Sequence, residues 1–538
     1  MRKNGLRWQR MNVCPGCLSA VYDVATFDLC AKEEAIVIRK ALIWTCAVLV
    51  VSSAAAAQTR DDNWNKCKAD DPDTSISGCT ALIQAGQEST TDLASAYYNR
   101  GIAYRDKKQY DLSIQDLNES LQIKPDFASA LNSRGNDYDD LGQYDRAIQD
   151  FNQCLQLEPN HTLAYYNRGN VWGHKKEYDK AIADYTTYIQ MAPTDPDGYN
   201  NRGQTHMAKG EYDLAMADFD AALRINPNHA FAIYNKGEVY SHKGQYSQAV
   251  EEFGSYIQLA PSDPDGFNAR GNAYRHLNQD ELALADYNRS IQIDARYAVA
   301  YYNRGLIYNR SGQYDNAIEN FSLYIGLKPT DPDGFNSRGE ARFQKNQYDQ
   351  AIDDFNKAIA AEPGSQLAFL MRGCAHLFES QKSDAAADYE LGIAVDPTSS
   401  LAVYSELWLH LVKKQMGDDD TQALAQEAAK ADLSQWPGPA LKLYMGQMTA
   451  DEVLAAAANP DAETQRDQFC EAHFYTGEDA LLHHRRADAT ELFKAARDGC
   501  PKDYVEYGGA LTELKHLAAP AGPATAHPAA RPHPATHP

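Results

Sequence analysis

Residues 162–195 read TLAYYNRGNVWGHKKEYDKAIADYTTYIQMAPTD, and residues 196–229 read PDGYNNRGQTHMAKGEYDLAMADFDAALRINPNH. The two 34-residue stretches align without a gap, and each has an Arg-Gly pair in its first half and a proline near its end. The same glycine recurs at this interval along much of the chain, at Gly101, Gly135, Gly169, Gly203, Gly237, Gly271, Gly305, Gly339 and Gly373. A fixed period of this length indicates an array of stacked repeats.

Each repeat has the pattern of two helices joined by a turn. We number the repeat so that the recurrent glycine is position 8. Position 20 is then alanine and position 24 is aromatic in every repeat but the first, and position 32 is proline in every repeat but one, which has Ala295. The proline ends the second helix, and the small residues predict a close approach of the two helices. One such hairpin cannot bury its apolar face alone, so we expect the hairpins to stack.

This pattern resembles the tetratricopeptide repeat (TPR) family, and nine consecutive repeats span residues 94–399. The resemblance implies an all-α solenoid, a right-handed superhelix of antiparallel helix hairpins that binds partner proteins in a concave groove. In this family, positions 2, 5 and 9 of the first helix are among those that line the groove. The matching residues are Tyr166, Tyr234, Tyr302, Asn200, Asn268 and Asn336 at position 5, Asn136, Asn170 and Asn272 at position 9, and Asp197, Asp265 and Asp333 at position 2.

The groove residues alternate over a period of two repeats. Tyrosine and asparagine take turns at position 5, and each repeat with asparagine follows an Asp-Pro-Asp-Gly sequence such as residues 195–198. We expect the asparagines to hydrogen-bond an extended peptide backbone and the tyrosines, facing the groove and not the seam between helices, to pack its side chains. The alternatives are a solvated tyrosine stripe without a ligand, and aspartates that serve only the helix N-terminus.

A second regularity is a pair of opposite charges in each repeat. Position 7 is arginine in eight repeats and Lys236 in the other, while position 23 is aspartate in seven repeats, with Glu252 and Asn320 in the other two. The single lysine and the single glutamate fall in the same repeat, which predicts an ion pair between the two helices of a hairpin. The alternative is a charged track for a ligand.

The sequence before the array predicts export. Extending the register backwards places Cys67 and Cys79 at positions 8 and 20, so residues 58–93 are interpreted as a capping hairpin with a disulfide. Residues 37–57 have the basic, apolar and Ala-x-Ala segments of a signal peptide, and no cysteine follows them closely. We therefore expect a periplasmic, unlipidated protein, with secretion as the alternative. Residues 1–36 are interpreted as an extension from a start codon assigned too early.

Residues 400–517 are predicted to be an atypical helical region that ends in a repeat-like hairpin. Gly477, Ala489, Phe493 and Pro501 restore the register, which places Cys470 and Cys500 at the adjacent ends of one hairpin and predicts a second disulfide. Segments 443–449 and 470–477 resemble periplasmic NlpI-like TPR adaptors of Gram-negative bacteria, which implies protein partners such as envelope hydrolases or proteases. Residues 518–538, mostly Ala, Pro, His and Thr, have the composition of a disordered tail.

Composition and motifs limit the possible functions. A formal net charge of −23 argues against nucleic-acid partners, and the 43% hydrophobic content argues against a polytopic membrane protein. The chain lacks the motifs of nucleotide, metal or nucleophile sites, so we predict a non-enzymatic scaffold without a cofactor or a metal. Two alternatives stay open. One is an envelope enzyme whose site in 400–517 uses Glu406, His410, His473 and Glu478, and the other is a glycan-binding accessory for polysaccharide export.

Overall fold

The computed structural model describes residues 59–418, 420–502 and 504–518, and within these ranges it contains helices and no strand. We number the helical residues 59–67 as α1. The other helices are α2 (Pro72–Ala85), α3 (Thr90–Asp106), α4 (Tyr110–Ile123), α5 (Ala128–Asp140), α6 (Tyr144–Leu157), α7 (Thr162–His174), α8 (Tyr178–Met191), α9 (Pro196–Ala208), α10 (Tyr212–Ile225), α11 (Ala230–His242), α12 (Tyr246–Leu259), α13 (Pro264–His276), α14 (Asp280–Ile293), α15 (Ala298–Arg310), α16 (Tyr314–Leu327), α17 (Pro332–Gln344), α18 (Tyr348–Ala361), α19 (Gln366–Phe378), α20 (Lys382–Val395), α21 (Ser400–Met416), α22 (Thr421–Ala428), α23 (Gly438–Tyr444), α24 (Ala450–Ala456), α25 (Ala462–Leu482), α26 (Arg486–Gly499) and α27 (Val505–Ala518).

The chain divides into two compact units between Asp218 and Phe219, inside α10. In the first unit, helix pairs follow one another from α1 to α8, and each helix packs against the next from α2 onwards. Cys67 of α1 and Cys79 of α2 lie at disulfide distance, and both are buried. The first unit therefore begins with the hairpin that the cysteine spacing predicts.

In the second unit, the pairs from α11–α12 to α19–α20 form the same stack, and the predicted all-α solenoid of hairpins is confirmed. Helices α21 to α27 continue from the last pair, and all of them except α24 contribute to one core, which contains Leu407, Trp408, Phe474, Tyr475 and Phe493. Val453 of α24 packs in a smaller cluster with Leu443 and Ala472. Cys470 and Cys500 lie at disulfide distance across α25 and α26. No described helix is long and apolar enough to cross a membrane.

The recurrent glycine is required by the aromatic ring of its own repeat. A Cβ atom built on Gly237 would lie 2.6 Å from Cε1 of Phe253, and one built on Gly373 would lie 2.6 Å from Cε1 of Tyr389. Both rings are fully buried. The two helices of a hairpin thus approach closely, as the small residues predict, and the ring at position 24 fills the space over the glycine.

Candidate functional site

The predicted ion pairs form in the structure. Arg168 of α7 donates from Nε and Nη2 to the two carboxylate oxygens of Asp184 in α8, at 2.8 and 2.7 Å. The same pairing occurs in the other Arg–Asp repeats, and Lys236 meets Glu252 at 3.2 Å. The Asp184 side chain is 9% exposed and that of Arg168 is 19% exposed. The charges are therefore used inside the hairpin, and they do not form a free track for a ligand.

All of these arginines except Arg270 also join neighbouring repeats, which the sequence analysis missed. Nη1 of Arg168 donates to Asn152, at position 25 of the preceding repeat, and Nη1 of Arg338 donates to Ser322 at the same position. In one repeat position 25 is Gly254, which has no side chain to accept from Arg270, and Arg270 donates to the two carboxylate oxygens of Asp286. The polar residue at position 25 is the sequence signal that could have revealed this link.

The tyrosines at position 5 differ from expectation, because they lie partly in the seam. Tyr166, Tyr234 and Tyr302 are half-buried. Their ring centroids lie 5.0, 5.1 and 5.0 Å from those of Tyr188, Tyr256 and Tyr324, which occupy position 27 of the same repeats. Each also contacts the ring at position 24. Burial raises the pKa of all three. Because these rings fill space between the two helices, truncating them removes packing as well as any groove contact.

The tyrosine at position 27 explains the two-repeat period. The hydroxyl of Tyr324 donates to Asp331 at 2.5 Å, and Asp331 caps α17 by accepting from the backbone N–H of Asp333 at 3.0 Å. A Cβ atom on Gly334 would lie 2.7 Å from the Tyr324 ring. Equivalent contacts join Tyr188 to the 195–198 turn and Tyr256 to the 263–266 turn. A tyrosine at position 27 therefore matches an Asp-Pro-Asp-Gly sequence at the start of the next repeat.

The asparagines at position 5 are mostly enclosed. Asn200 and Asn268 are 6% and 7% exposed, and Oδ1 of Asn268 accepts from Asn303 of the next repeat at 2.9 Å. Asn336 is half-buried. At position 9, Asn170 and Asn272 accept hydrogen bonds from Tyr185 and Tyr287, and Asn136 is half-buried. These amides join helices and repeats, which leaves them less available to a peptide than the sequence analysis expected.

In the second unit, the exposed residues among positions 2, 5 and 9 lie at position 2. We define the position-2 row of the second unit as Phe231, Asp265, Val299, Asp333 and Leu367. The three apolar members are 68%, 43% and 45% exposed, and the two aspartates are also exposed. In the first unit, Leu163 and Asp197 show the same alternation and the same exposure. Sequence analysis identified the aspartates and missed the apolar residues, although they recur with the same two-repeat period.

The residues considered for an enzymatic site have different surroundings. Glu406 and His410 lie on α21, and Nδ1 of His410 contacts Asp420 at 2.9 Å. His473 and Glu478 lie on α25, where Nδ1 of His473 bonds the Phe469 carbonyl and burial raises the pKa of Glu478 to about 8. Among the described residues, no group of acidic, histidine or cysteine side chains could hold a metal ion.

Comparison with known proteins agrees with the repeat pattern. Models described as tetratricopeptide repeat or TPR repeat match residues 94–127, 128–161, 162–195, 196–229, 219–251, 271–312, 298–331 and 336–401. Together these matches cover more than half of the chain. A search of curated proteins found no significant match.

Several solved structures share short stretches of the fold. YrrB, described as a TPR protein with an unusual peptide-binding site, is 26% identical over 34% of this chain and 95% of its own, with a TM-score of 0.29. MamA from Desulfovibrio magneticus RS-1 is 23% identical over 31% of this chain and 96% of its own, with a TM-score of 0.30. The type IV pilus biogenesis factor PilW is 19% identical over 38% of this chain and 94% of its own, with a TM-score of 0.36.

The family matches, the helix hairpins and the glycine–aromatic contacts lead to one assignment. TPR arrays are protein–protein interaction scaffolds and are generally not catalytic. The chain belongs to the tetratricopeptide repeat family.

Proposed function

We propose that this protein is a non-enzymatic scaffold of the bacterial envelope that holds an extended segment of a partner protein along the first helices of its repeats. The observation that carries this proposal is the position-2 row, in which exposed apolar and acidic side chains alternate on equivalent sites. Single exposed apolar residues are common on protein surfaces, but a periodic row on stacked helices is a continuous surface.

The spacing of the row suits an extended chain. Successive first helices contact one another from α11 to α19, and packed helices lie roughly 10 Å apart. An extended peptide advances about 3.3 Å per residue, so it would meet the next member of the row about every third residue. A matching partner would alternate apolar and basic side chains at that interval, with the basic residues opposite Asp265 and Asp333.

The compartment and the partner class are part of the same proposal. The two cysteine pairs at disulfide distance are consistent with an oxidising compartment, and the signal-peptide pattern of residues 37–57 supports export to the periplasm. That segment lies outside the described residues, as do residues 1–36 and most of the tail at 518–538. The NlpI-like segments suggest envelope hydrolases or proteases as partners. The glycan alternative depends on tyrosines and asparagines that are largely engaged within the array.

The test replaces Phe231 or, as a control, Leu323 with a photo-crosslinking amino acid. Phe231 and Leu323 are both exposed, but they lie on first and second helices respectively. We expect a crosslinked partner from periplasmic extract at 231 and none at 323, and mass spectrometry of the adduct should place the crosslink in an extended segment with basic residues.

A matched pair of triple variants measures what the row contributes. Changing Phe231, Val299 and Leu367 to serine should lower partner recovery at least tenfold. The control changes Leu259, Leu323 and Leu391, which are 42%, 44% and 49% exposed on second helices. Equal recovery with both variants would place the binding surface elsewhere. Retention of purified envelope polysaccharide by the wild type but not by the row variant would favour the glycan alternative.

A further inference from the structure

A cavity lies away from the position-2 row, where the array passes into the C-terminal helices. It measures about 460 Å³ and lies among α20, α21, α22 and the turns that join them. Ile393, Leu409 and Leu424 give it an apolar wall, and Glu406 of α21 is part of the lining. A volume of this size suits a small organic molecule.

Glu406 is a buried carboxyl group that lacks a partner. The residue is 2% exposed, and neither carboxylate oxygen has a hydrogen-bond partner among the described residues. Leaving such a group unsatisfied is costly, because burial removes its water without replacing the lost hydrogen bonds. Burial and, to a lesser extent, the nearby negative charge of Glu427 accordingly raise the pKa of Glu406 to about 7, against the opposing effect of Lys430.

The other charged residues around the cavity already have partners. Lys413 of α21 contacts Glu390 of α20 at 2.9 Å. Lys430, just after α22, contacts Glu427 at 2.5 Å, and Asp420 contacts His410 at 2.9 Å. These groups face the cavity from each element that surrounds it. Among the described lining residues, both carboxylate oxygens of Glu406 lack a hydrogen-bond partner, whereas Asp420 lacks one at Oδ1 and bonds His410 through Oδ2. Glu406 is therefore the group that a ligand would chiefly have to satisfy.

We propose that this cavity binds an alkylammonium group, with the cationic head at Glu406 and the aliphatic stem against Ile393, Leu409 and Leu424. An ammonium group supplies the missing donors and compensates the charge of the ionised carboxylate, and the stem suits the apolar wall. The ammonium can belong to a free small amine or to the lysine side chain of a larger ligand. The proposal is independent of the position-2 row, since it uses other residues and other helices.

The test is calorimetric titration of the full chain with n-pentylamine, with n-pentanol as the uncharged isostere. We expect the amine to bind and the alcohol to bind at least tenfold more weakly. The amine stays protonated between pH 6 and 8, while Glu406 passes through its pKa of about 7. Because only the ionised carboxylate attracts the cation, the association constant should rise about tenfold from pH 6 to pH 8.

Variants test whether the site is the one proposed. Glu406→Gln should lower the affinity for the amine at least tenfold and remove its pH dependence. Glu478→Gln is the matched control, since Glu478 is also buried with a raised pKa but does not line the cavity, and it should leave binding unchanged. Ala423→Phe, at an exposed residue of the lining, should block the cavity without removing the carboxyl group.

A capped lysine that keeps its side-chain ammonium, Nα-acetyl-lysine amide, distinguishes the two sources of the ammonium. Tighter binding of the capped lysine than of n-pentylamine assigns the site to a lysine side chain. Tighter binding of n-pentylamine assigns it to a free amine. The proposal is overturned if neither amine binds the wild type at 10 mM and pH 8, if the alcohol binds as well as the amine, or if Glu406→Gln and Ala423→Phe both bind like the wild type.

Discussion

The Arg168–Asp184 pair gives a direct test of how the hairpins are held together. Asp184→Ala removes the ion-pair partner of Arg168, whose side chain is 19% exposed, and leaves the guanidinium its bond to Asn152. Breaking a buried pair in this way costs about 3 kcal/mol of the free energy of unfolding. Arg168→Ala should cost a similar amount, since it leaves a largely buried carboxylate unpaired.

The coupling between the two side chains comes from a double-mutant cycle. The double variant has no unpaired charge, so its loss should be smaller than the sum of the single losses by about 1.5 kcal/mol or more. The free energy of unfolding is measured by urea denaturation followed by circular dichroism. Hydrogen exchange at the α7 and α8 amides checks that the loss is local, because repeat arrays can unfold in parts.

Two controls make the result specific. Lys175 and Asp145 form an exposed pair in the same unit, and breaking it should give no measurable change. Asp184→Asn should cost less than Asp184→Ala, because Asn320 already accepts from Nε of Arg304 at 2.8 Å in another repeat. Additive single losses would show that the contact between Arg168 and Asp184 does not stabilise the hairpin.

Three further predictions concern the glycines, the cysteines and the buried acids. Gly237→Ala should destabilise the second unit by roughly 2 kcal/mol, because the added Cβ atom meets the Phe253 ring. Gly254→Ala is the control and should leave stability unchanged, because the nearest atom to its Cβ lies 3.8 Å away. Equal melting temperatures for the two variants would contradict this prediction. Cys79→Ser should lower the free energy of unfolding by about 3 kcal/mol, because it removes the disulfide that closes a short loop with Cys67. Non-reducing peptide maps of the wild-type protein from the periplasm should contain the linked pair, and two free thiols would contradict this. The raised pKa of Glu478, about 8, means that the folded state binds its proton more tightly than the unfolded chain. Its contribution to stability is therefore complete below about pH 4.5 and is lost as the pH rises through about 8, so the urea midpoint should fall from pH 5 to pH 8, and Glu478→Gln should flatten that slope.

The sequence was sufficient for the features that repeat. Gly237 and Ala249 predict the close helix approach, and Arg270 with Asp286 predicts the ion pair, because these residue types recur at the same spacing in most of the nine repeats. The cysteine pairs could also be predicted, since the repeat register places them on helices that must touch. Repetition supplies many observations of one contact, so coincidence is a poor explanation.

The candidate surface was harder to predict, because a helix position does not determine which neighbour takes up a side chain. Position 5 was expected to face a ligand, yet Tyr234 packs on Tyr256, and Asn268 bonds Asn303 of the next repeat. Position 27 carried no functional expectation, but its tyrosine bonds the first aspartate of the Asp-Pro-Asp-Gly sequence and packs over its glycine. The ring of Tyr324 thus occupies the space that a side chain at residue 334 of the next repeat would need. The pattern of a single helix does not show such a contact.

The alternation within the array and the exposure of the position-2 row have a common origin in these contacts. In repeats that begin with Asp-Pro-Asp-Gly, Asp331 caps the helix and Gly334 makes room for Tyr324, so Asp333 at position 2 is held near a fixed turn. The intervening repeats have no such turn, and there position 2 is free to be apolar, as at Phe231 and Val299. Each unit of two repeats therefore presents one acidic and one apolar residue at position 2. If a partner follows the row as proposed, its own apolar and basic side chains should repeat with the same period, and the array would then select for sequence spacing as well as for charge.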